Sequence, residues 1–299
     1  MKKLAAVVLN YRTPDDTLVA ARGLLTSRRR VQDLIVVDNG SGDGSEALLR
    51  ERLPEATVLQ TGANLGFSGG CNAGIRAALG RGAELVILVN SDLTLAEDAI
   101  GRLESALQAR PAAGIAGPLV VVRSEPGRVE SMGIHFSPGT GRTRHHGFGA
   151  RAAEAPAEPR EVDGVSGCAM LIRREVFERI GLLAEEYFFS FEDLDFCLRA
   201  RAAGLATLCV GAARAYHEGG RSIGARSARR LYFATRNHLL MARRVAPAPS
   251  RARAVLRGGV IVGRGLVHAV LRADAPALAG VASVMRGAWH HLRGRYGSD

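Results

Sequence analysis

Three carboxylates fall within four positions at Glu192, Asp193 and Asp195, directly after the aromatic residues Tyr187, Phe188, Phe189 and Phe191. Ionised and dry they would repel one another, so each needs a partner or a task. Ser190 and Asp193 have the S-x-x-D spacing of a helix capping box, and Asp195 stands four residues before Arg199, the spacing of a helical ion pair. Neither assignment explains the aromatic wall. A carboxylate at a helix N-terminus is held ionised by the helix dipole, and in that form it can act as a general base. Asp193 therefore has two readings, cap and base. In "LVNSDL" (88–93), Asn90 and Asp92 put two oxygen-bearing side chains on one side of an extended stretch, where they can share a hard divalent cation such as Mg²⁺ or Mn²⁺. The same residues also suit a helix N-cap. His217, after a short strand, would complete a mixed oxygen–nitrogen site. "GFSGGCNAG" (66–74) is Gly-rich where strand gives way to helix, so backbone amides there could approach a phosphate or nucleoside. It is not the G-x-G-x-x-G dinucleotide fingerprint, and no G-K-[ST] phosphate loop occurs, which disfavours nicotinamide enzymes and P-loop NTPases.

The elements that must position these groups alternate regularly. Short β-branched runs lie at 4–10, 33–39, 56–61, 84–90 and 113–122, separated by helical periodicity at 14–26, 44–53, 69–80 and 96–109. Strands apolar on both faces, alternating with helices, predict βαβ units and a parallel sheet. Asp43 or Ser45 opens the second helix, and Thr94 with Glu97 fits a capping box before the fourth. In such sheets ligands bind beyond the carboxyl ends of the strands. Asn10-Tyr11, Asp38-Asn39, Asn64 and Asn90-Ser91-Asp92 all fall at those ends. Residues 123–160 read as loop around a hairpin. A strand near 162–172, helices at 173–180 and from 192, a strand at 206–210, a Gly-broken loop at 213–222 and a helix at 228–244 follow. Pro247 and Pro249 mark a boundary, giving two predicted units, 1–244 and 245–299.

Composition sets the class. The 299 residues are 47% apolar and 23% charged, as in ordinary globular proteins. Cys71, Cys168, Cys197 and Cys209 are scattered and read as buried thiols in a reducing compartment. The N-terminal apolar run ends in polar residues without a cleavage site, and so reads as the first strand. No stretch reaches the ~18 uninterrupted apolar residues of a membrane span. The net charge of +11 is uneven: residues 221–299 hold 15 Arg, no Lys and two Asp, so the first 220 residues are slightly acidic. On a helical wheel Arg253, Arg257, Arg264, His268 and Arg272 share one side, and Val255, Leu256, Val262, Leu266 and Val270 the other. This basic amphipathic pattern predicts contact between 250–299 and an anionic membrane surface; the bland alternative is a helix packed back on the rest.

In order and spacing the constellation resembles the family-2 glycosyltransferases of the GT-A fold, in the branch of bacterial rhamnosyltransferases, from about Leu4 to Arg244. Its carriers are "VVLNY", "IVVDNGSGDGS", "NLGFSGGCNAGI", "LVNSD", "GVSGCAMLIRREVFERIG", "FFSFEDLDFCLRARAAG", "HEGGRS" and "YFATRNHLL". The resemblance implies an α/β fold with a Rossmann-like, mostly parallel sheet flanked by helices, extended by C-terminal helices. It implies that Asp38 contacts the donor nucleoside, that Asn10, Asn64 and Gly66 shape its pocket, and that Asp92 and His217 bind Mg²⁺ or Mn²⁺. Asp193 would be the base, with Asp195 and Arg199 as structural partners. Two departures stand out: the usual D-x-D is Asn90-Ser91-Asp92, and the usual Asp near 184 is Ala184, leaving Glu185 and Glu186 unassigned. The implied activity is inverting, metal-dependent transfer of a sugar, rhamnose as the first choice, from a dTDP-, UDP- or GDP-sugar to a hydroxyl of a glycan or lipid-linked acceptor. The setting would be polysaccharide or cell-wall synthesis in the cytoplasm, at the inner face of the plasma membrane. Two competing readings are a sugar-phosphate nucleotidyltransferase and a non-enzymatic nucleic-acid binder. The first lacks its Gly-rich activating loop with Arg and Lys. The second lacks a helix-turn-helix, zinc or aromatic-platform motif, so no nucleic acid is expected.

Overall fold

In the computed structural model, which describes residues 2–218, 227–271 and 276–298, the alternation of the N-terminal half becomes a sheet with a core on each face. Its elements are β1 (Leu4–Asn10), α1 (Pro14–Leu25), β2 (Asp33–Asp38), α2 (Ser45–Arg52), β3 (Thr57–Gln60), α3 (Gly66–Gly80), β4 (Leu85–Asn90), β5 (Leu93–Leu95), α4 (Ala99–Ala109) and β6 (Ala113–Val122). Leu4, Ala6 and Val8 of β1 face a core shared with Leu24 of α1, Leu49 of α2 and Leu103 of α4. Ala5 and Val7 face a second core with Ile75 of α3. Covering both faces explains why these strands carry no polar alternation.

β3, β2, β1 and β4 pair in parallel in that order, and the register sets Asn10 opposite Asp38 and Leu9 opposite Asn90. The strand order reverses beside β1, which opens a crevice at that edge. The parallel run then breaks. After β7 (Glu125–Ser131), β8 (Ile134–Ser137), β9 (Arg142–His145) and β10 (Pro159–Val162), strand β11 (Ala169–Arg173) enters antiparallel between β4 and β6. The segment read as loop thus carries four short strands, of which β8 and β9 form the expected hairpin. α5 (Arg174–Ile180), α6 (Glu192–Ala202) and β12 (Ala206–His217) complete the domain. β12 runs parallel to β6 and continues through 213–217, where the sequence suggested a loop, so His217 ends a strand paired with Leu93 of β5. The rest of the suggested loop, from Gly219 onward, lies outside the described residues.

Two predicted caps do not form. Thr94 lies in β5, α4 begins after Asp98, and the Glu97 carboxylate instead faces Arg28. Ser190 is not a cap either: α6 starts at Glu192 behind Phe191, which holds the left-handed conformation at φ 73° with no side-chain cap. Asp43 does serve the start of α2, where its Oδ1 accepts from Ser45 N at 3.0 Å. The glycine run of α3 is chiefly a packing device. A Cβ at Gly74 would come within 2.3 Å of Val7 Cγ1, and one at Gly70 within 2.4 Å of Leu9 Cδ1.

The loop before α6 is strained. Phe188, Ser190 and Phe191 all have positive φ (60°, 71° and 73°), each costing about 1–3 kcal/mol for a side-chain-bearing residue. α7 (Ala228–Val245) holds it. Asn237 Nδ2 donates to the carbonyls of Tyr187 (2.7 Å), Phe189 (2.6 Å) and Ser190 (3.1 Å). Arg236, fully buried, donates to Asn237 Oδ1 at 2.9 Å and to Tyr187 O at 3.1 Å. Phe188 stacks on Phe233 at 5.3 Å.

The last two helices, α8 (Arg251–Leu271) and α9 (Ala277–Leu292), follow the predicted break and pack back onto α7. Tyr232 and His290 Nδ1 hydrogen bond at 2.7 Å, and a Cβ at Gly287 would lie 2.6 Å from Tyr232 O. The helical wheel is met in part: Arg253, Arg264 and His268 are exposed, and Arg272 lies outside the described residues. Arg257 is buried and donates to Ala246 O (2.5 Å) and Pro138 O (3.2 Å), so part of the basic side faces inward. Val255, Leu256, Val267 and Val270 are 75%, 70%, 59% and 58% exposed. Val262 and Leu266 pack against Leu231, Ala269 and Val284, so the apolar side of the wheel is divided between core and surface.

Asn237→Ala should release three carbonyls and the strained turn together, at about 1–3 kcal/mol. Chemical denaturation should show that loss. Turnover should fall further than the unfolded fraction explains, since α6 follows the loop directly.

Candidate active site

A cavity of about 690 Å³ opens at the carboxyl ends of β1, β2 and β4 and is closed on the far side by the 188–194 segment. Asn64, Gly66, Asn90, Asp92, His217 and Asp193 line it. Asn10 and Asp38 do not. Asp38 is 1% exposed, and its carboxylate is engaged by Asn10 Nδ2 (2.6 Å), Ser41 N and Oγ, and Gln60 Nε2 (2.7 Å). These two expected donor-site residues stand behind the wall, where they fix the loop carrying Asn39. Asn39 and Tyr11 are the residues of those strand ends that reach the cavity.

Asn64 and Gly66 start α3. Asn64 Oδ1 accepts from Gly66 N at 2.9 Å and from Asn39 Nδ2 at 3.2 Å, which ties β2, the loop and the helix start together. Gly66 has φ 73°, and any Cβ there would lie 2.4 Å from Phe188 O. Phe67 N donates to that carbonyl at 2.6 Å, so the Gly-rich turn and the strained aromatic loop are one joint.

Asp92 and His217 meet as expected, with Asp92 Oδ1 3.3 Å from His217 Nε2. The other imidazole nitrogen, Nδ1, lies 2.9 Å from Glu130 Oε2. Glu130 sits on β7, within the stretch read as loop, and no sequence signal singled it out. Burial opposes the imidazolium, but the hydrogen bonds to the two carboxylates overturn that and push His217 up to about 9. Burial raises Asp92, yet the bond to His217 prevails and holds its carboxyl below the usual range. Asn90 Oδ1 is buried with no hydrogen-bond partner among the described residues. An orphaned oxygen, a carboxylate and an imidazole backed by a carboxylate at one edge form a donor set that fits a hard divalent cation, whose binding would displace the His217 Nε2 proton. Among the described residues no three His, Cys, Asp or Glu side chains form a complete cage. Any ion held here would need ligands from water or a bound phosphate.

Across the cavity, Asp193 Oδ2 accepts from Gly167 N at 2.8 Å and Oδ1 from Leu194 N at 2.7 Å. A Cβ at Gly167 would press on Asp193 Cβ at 3.1 Å, so only glycine brings that amide close without displacement. Burial raises the Asp193 pKa, while the two backbone N–H groups oppose it. Glu192 is buried with Oε2 unpartnered, and burial, then the Asp193 charge, push it up to about 8. Asp195 is the structural member of the trio. It is fully buried, 2.8 Å from Arg199 Nε, and accepts from Tyr187 OH at 2.8 Å. Glu185 and Glu186 are structural too. Glu185 accepts from Asn72 (2.9 Å) and Arg76 (3.1 Å), and Glu186 pairs with Arg244 (2.7 Å). All four cysteines are free and buried.

A nucleotide-type α/β crevice with a cation-suited edge on one wall and an accessible carboxylate on the other defines a group-transfer enzyme. Residues 8–181, more than half of the chain, match the family model Glycosyl transferase family 2, and the chain belongs to that family. The N-acetylglucosaminyl-diphospho-decaprenol L-rhamnosyltransferase of Mycobacterium tuberculosis is 31% identical over 221 residues, 67% of this chain and 71% of that one. A low-salt glycan biosynthesis hexosyltransferase of Haloferax volcanii is 30% identical over 201 residues, 66% of this chain and 61% of that one, so the match spans less than two thirds of the archaeal enzyme. The mannosyltransferase of Pyrobaculum calidifontis, solved with GDP-Man and Mn²⁺, superposes with a TM-score of 0.61 at 15% identity, over 98% of this chain and 88% of that one. That likeness shows the GT-A fold.

The raised Glu192 carboxyl makes a pH prediction. Its folded value of about 8 exceeds the ordinary 4.5, so its contribution to stability is complete below about 4.5 and is lost as pH rises through 8. Wild type should lose stability across that window, and Glu192→Gln should flatten the loss. Denaturation midpoints at intervals between those limits would read it; parallel curves for the two proteins would refute it.

Proposed function

We propose that this family-2 glycosyltransferase moves a sugar, rhamnose by analogy with its mycobacterial relative, from a nucleoside-diphosphate donor to a hydroxyl of a lipid-linked glycan acceptor. dTDP-rhamnose is the donor to try first. The observation that carries the reading is one cavity with Asp92 and His217 on one wall and Asp193 on the other.

In this reading the donor diphosphate lies at the Asn90, Asp92 and His217 edge. A divalent cation held by Asp92 and His217, with Glu130 orienting the imidazole, would supply charge neutralisation for the departing diphosphate. The nucleoside lies along Tyr11, Asn39 and Asn64. Asp38 takes part indirectly, by holding with Asn10 and Ser41 the loop that carries Asn39. Asp193 accepts the proton of the acceptor hydroxyl as that oxygen bonds to the anomeric carbon. The bond from that carbon to the phosphate oxygen breaks, and the nucleoside diphosphate leaves on the opposite side. A single in-line displacement inverts the anomeric centre. Asn237 and Gly167 keep Asp193 in place, which is the orientation part of catalysis.

The membrane reading changes its physical basis. α8 is long and apolar enough by composition to cross a membrane, yet it packs on α7 and α9 and keeps Arg257 buried. We place its outer face, with Leu278, Trp289 and Leu292 of α9, against the bilayer surface, where exposed Arg251 and Arg253 meet headgroups.

Three outcomes test these statements. Asp193→Asn should keep nucleotide affinity and lower turnover by roughly 10² to 10⁴, and near wild-type turnover would remove it as the base. Asp92→Ala should weaken dTDP binding in the presence of Mn²⁺ but not in EDTA; equal affinity for wild type under both conditions would exclude the cation. Co-sedimentation with neutral phosphatidylcholine vesicles should persist at about 0.5 M salt, where charge is screened within a few ångströms, and Leu256→Asp with Val267→Asp should abolish it. Binding that needs anionic lipid and disappears with salt would restore the arginine face as the contact.

A further inference from the structure

A second cavity, of about 390 Å³, lies between α7, α8 and the β8–β9 hairpin, and the transfer chemistry above makes no use of it. Arg230, Arg264 and His268 line it with Thr143, Ser227 and Thr235, and no carboxylate does among the described residues. The first cavity differs sharply, being lined by Asp92, Glu130, Glu192, Asp193 and Glu218. Thr143, Phe191, Arg230 and Ala234 line both, so the two adjoin two residues before Asp193. Arg264 is exposed, and Arg230, half-buried, feels the charges of Glu130 and Glu192 from the side of the first cavity. Two guanidiniums bordering a space that no described carboxylate lines, beside hydroxyl groups, form a receptor for a phosphate, which they can bind through paired N–H groups. His238 closes the floor as an apolar surface. It donates to Gly141 O and stacks on Phe191 at 4.6 Å, and burial lowers it to about 4. The helix that supplies Arg264 also carries the exposed apolar face of Val255, Leu256, Val267 and Val270, so a charged pocket and a lipid-compatible surface share one element.

We infer that this cavity seats the phosphate joining the acceptor sugar to its lipid carrier, with Arg230 and Arg264 as charge partners and the sugar directed past Phe191 toward Asp193. The inference rests on the reading of the acceptor as lipid-linked. It also assigns a task to the α8 extension, which is to select acceptors by their phosphate.

The test titrates full-length protein with three probes, farnesyl phosphate, farnesol and inorganic phosphate, each with and without saturating dTDP and Mn²⁺. Farnesyl phosphate should bind at least about tenfold more tightly than the other two. Arg264→Glu should weaken it by about tenfold or more, and Arg264→Lys should regain most of that loss. Farnesol should be indifferent to both substitutions. Farnesol binding as tightly as its phosphate would show an apolar site only, and inorganic phosphate binding as tightly would show a free-anion site; either overturns the inference, as does unchanged affinity in Arg264→Glu. Absence of dTDP binding by wild type would instead sink the donor reading, and the arms without nucleotide still decide the cavity.

Discussion

One side-chain amide holds the Asp193 wall of the cavity together. Asn237 Nδ2 faces three successive bends of the chain at Tyr187, Phe189 and Ser190, and Arg236 locks the amide from behind. Three residues with left-handed backbone would not persist there unaided, because each costs about 1–3 kcal/mol. With them in place, Phe188 O lies against Gly66 and α3, and Glu192, Asp193 and Asp195 enter α6 at fixed angles. The strain sits beside the cavity because a relaxed turn would not bring the helix start so close to Gly167. Buried hydrogen bonds make the arrangement unique at the expense of tolerance, since removing one donor strands several acceptors.

The two walls of the cavity treat charge in opposite ways. At the Asp92 edge, an imidazole between two carboxylates keeps opposite charges in contact, so burial is offset and Asp92 stays acidic. At the start of α6, two carboxyls share a dry wall, with backbone N–H groups as the relief available to Asp193. Adjacent acids in low dielectric do not both ionise readily: burial raises both carboxyls, and the N–H groups of Gly167 and Leu194 oppose that rise at Asp193. The two neighbours therefore differ in hydrogen bonding, Asp193 holding two backbone N–H groups while Glu192 Oε2 has no partner among the described residues.

α8 shows how docking redistributes an amphipathic pattern. Considered alone, its arginines are its solvent face. Packed on α7, Arg257 finds two carbonyls, Val262 and Leu266 turn to the core, and exposed Arg264 shares the surface with Val255, Leu256, Val267 and Val270.

Periodicity in the sequence determined the βαβ half, because strands buried on both faces must be apolar throughout and their neighbours must be helical. It also determined that Asn10, Asp38, Asn64 and Asn90 would gather at one edge, since every strand of a parallel sheet ends on the same side. The pairings of Asp92 with His217 and Asp195 with Arg199 were legible too, one from strand ends and the other from helical spacing. Tertiary structure decided the remainder. Glu130 and Asn237 act across separations of 87 and 50 residues, which no local pattern encodes. Asp38 and Asn10 were placed behind the wall by hydrogen bonds to Ser41 and Gln60, and Ser190 lost its cap to a left-handed Phe191. Whether a polar side chain meets ligand or protein depends on which neighbour reaches it first, and that is fixed only when the chain has closed on itself.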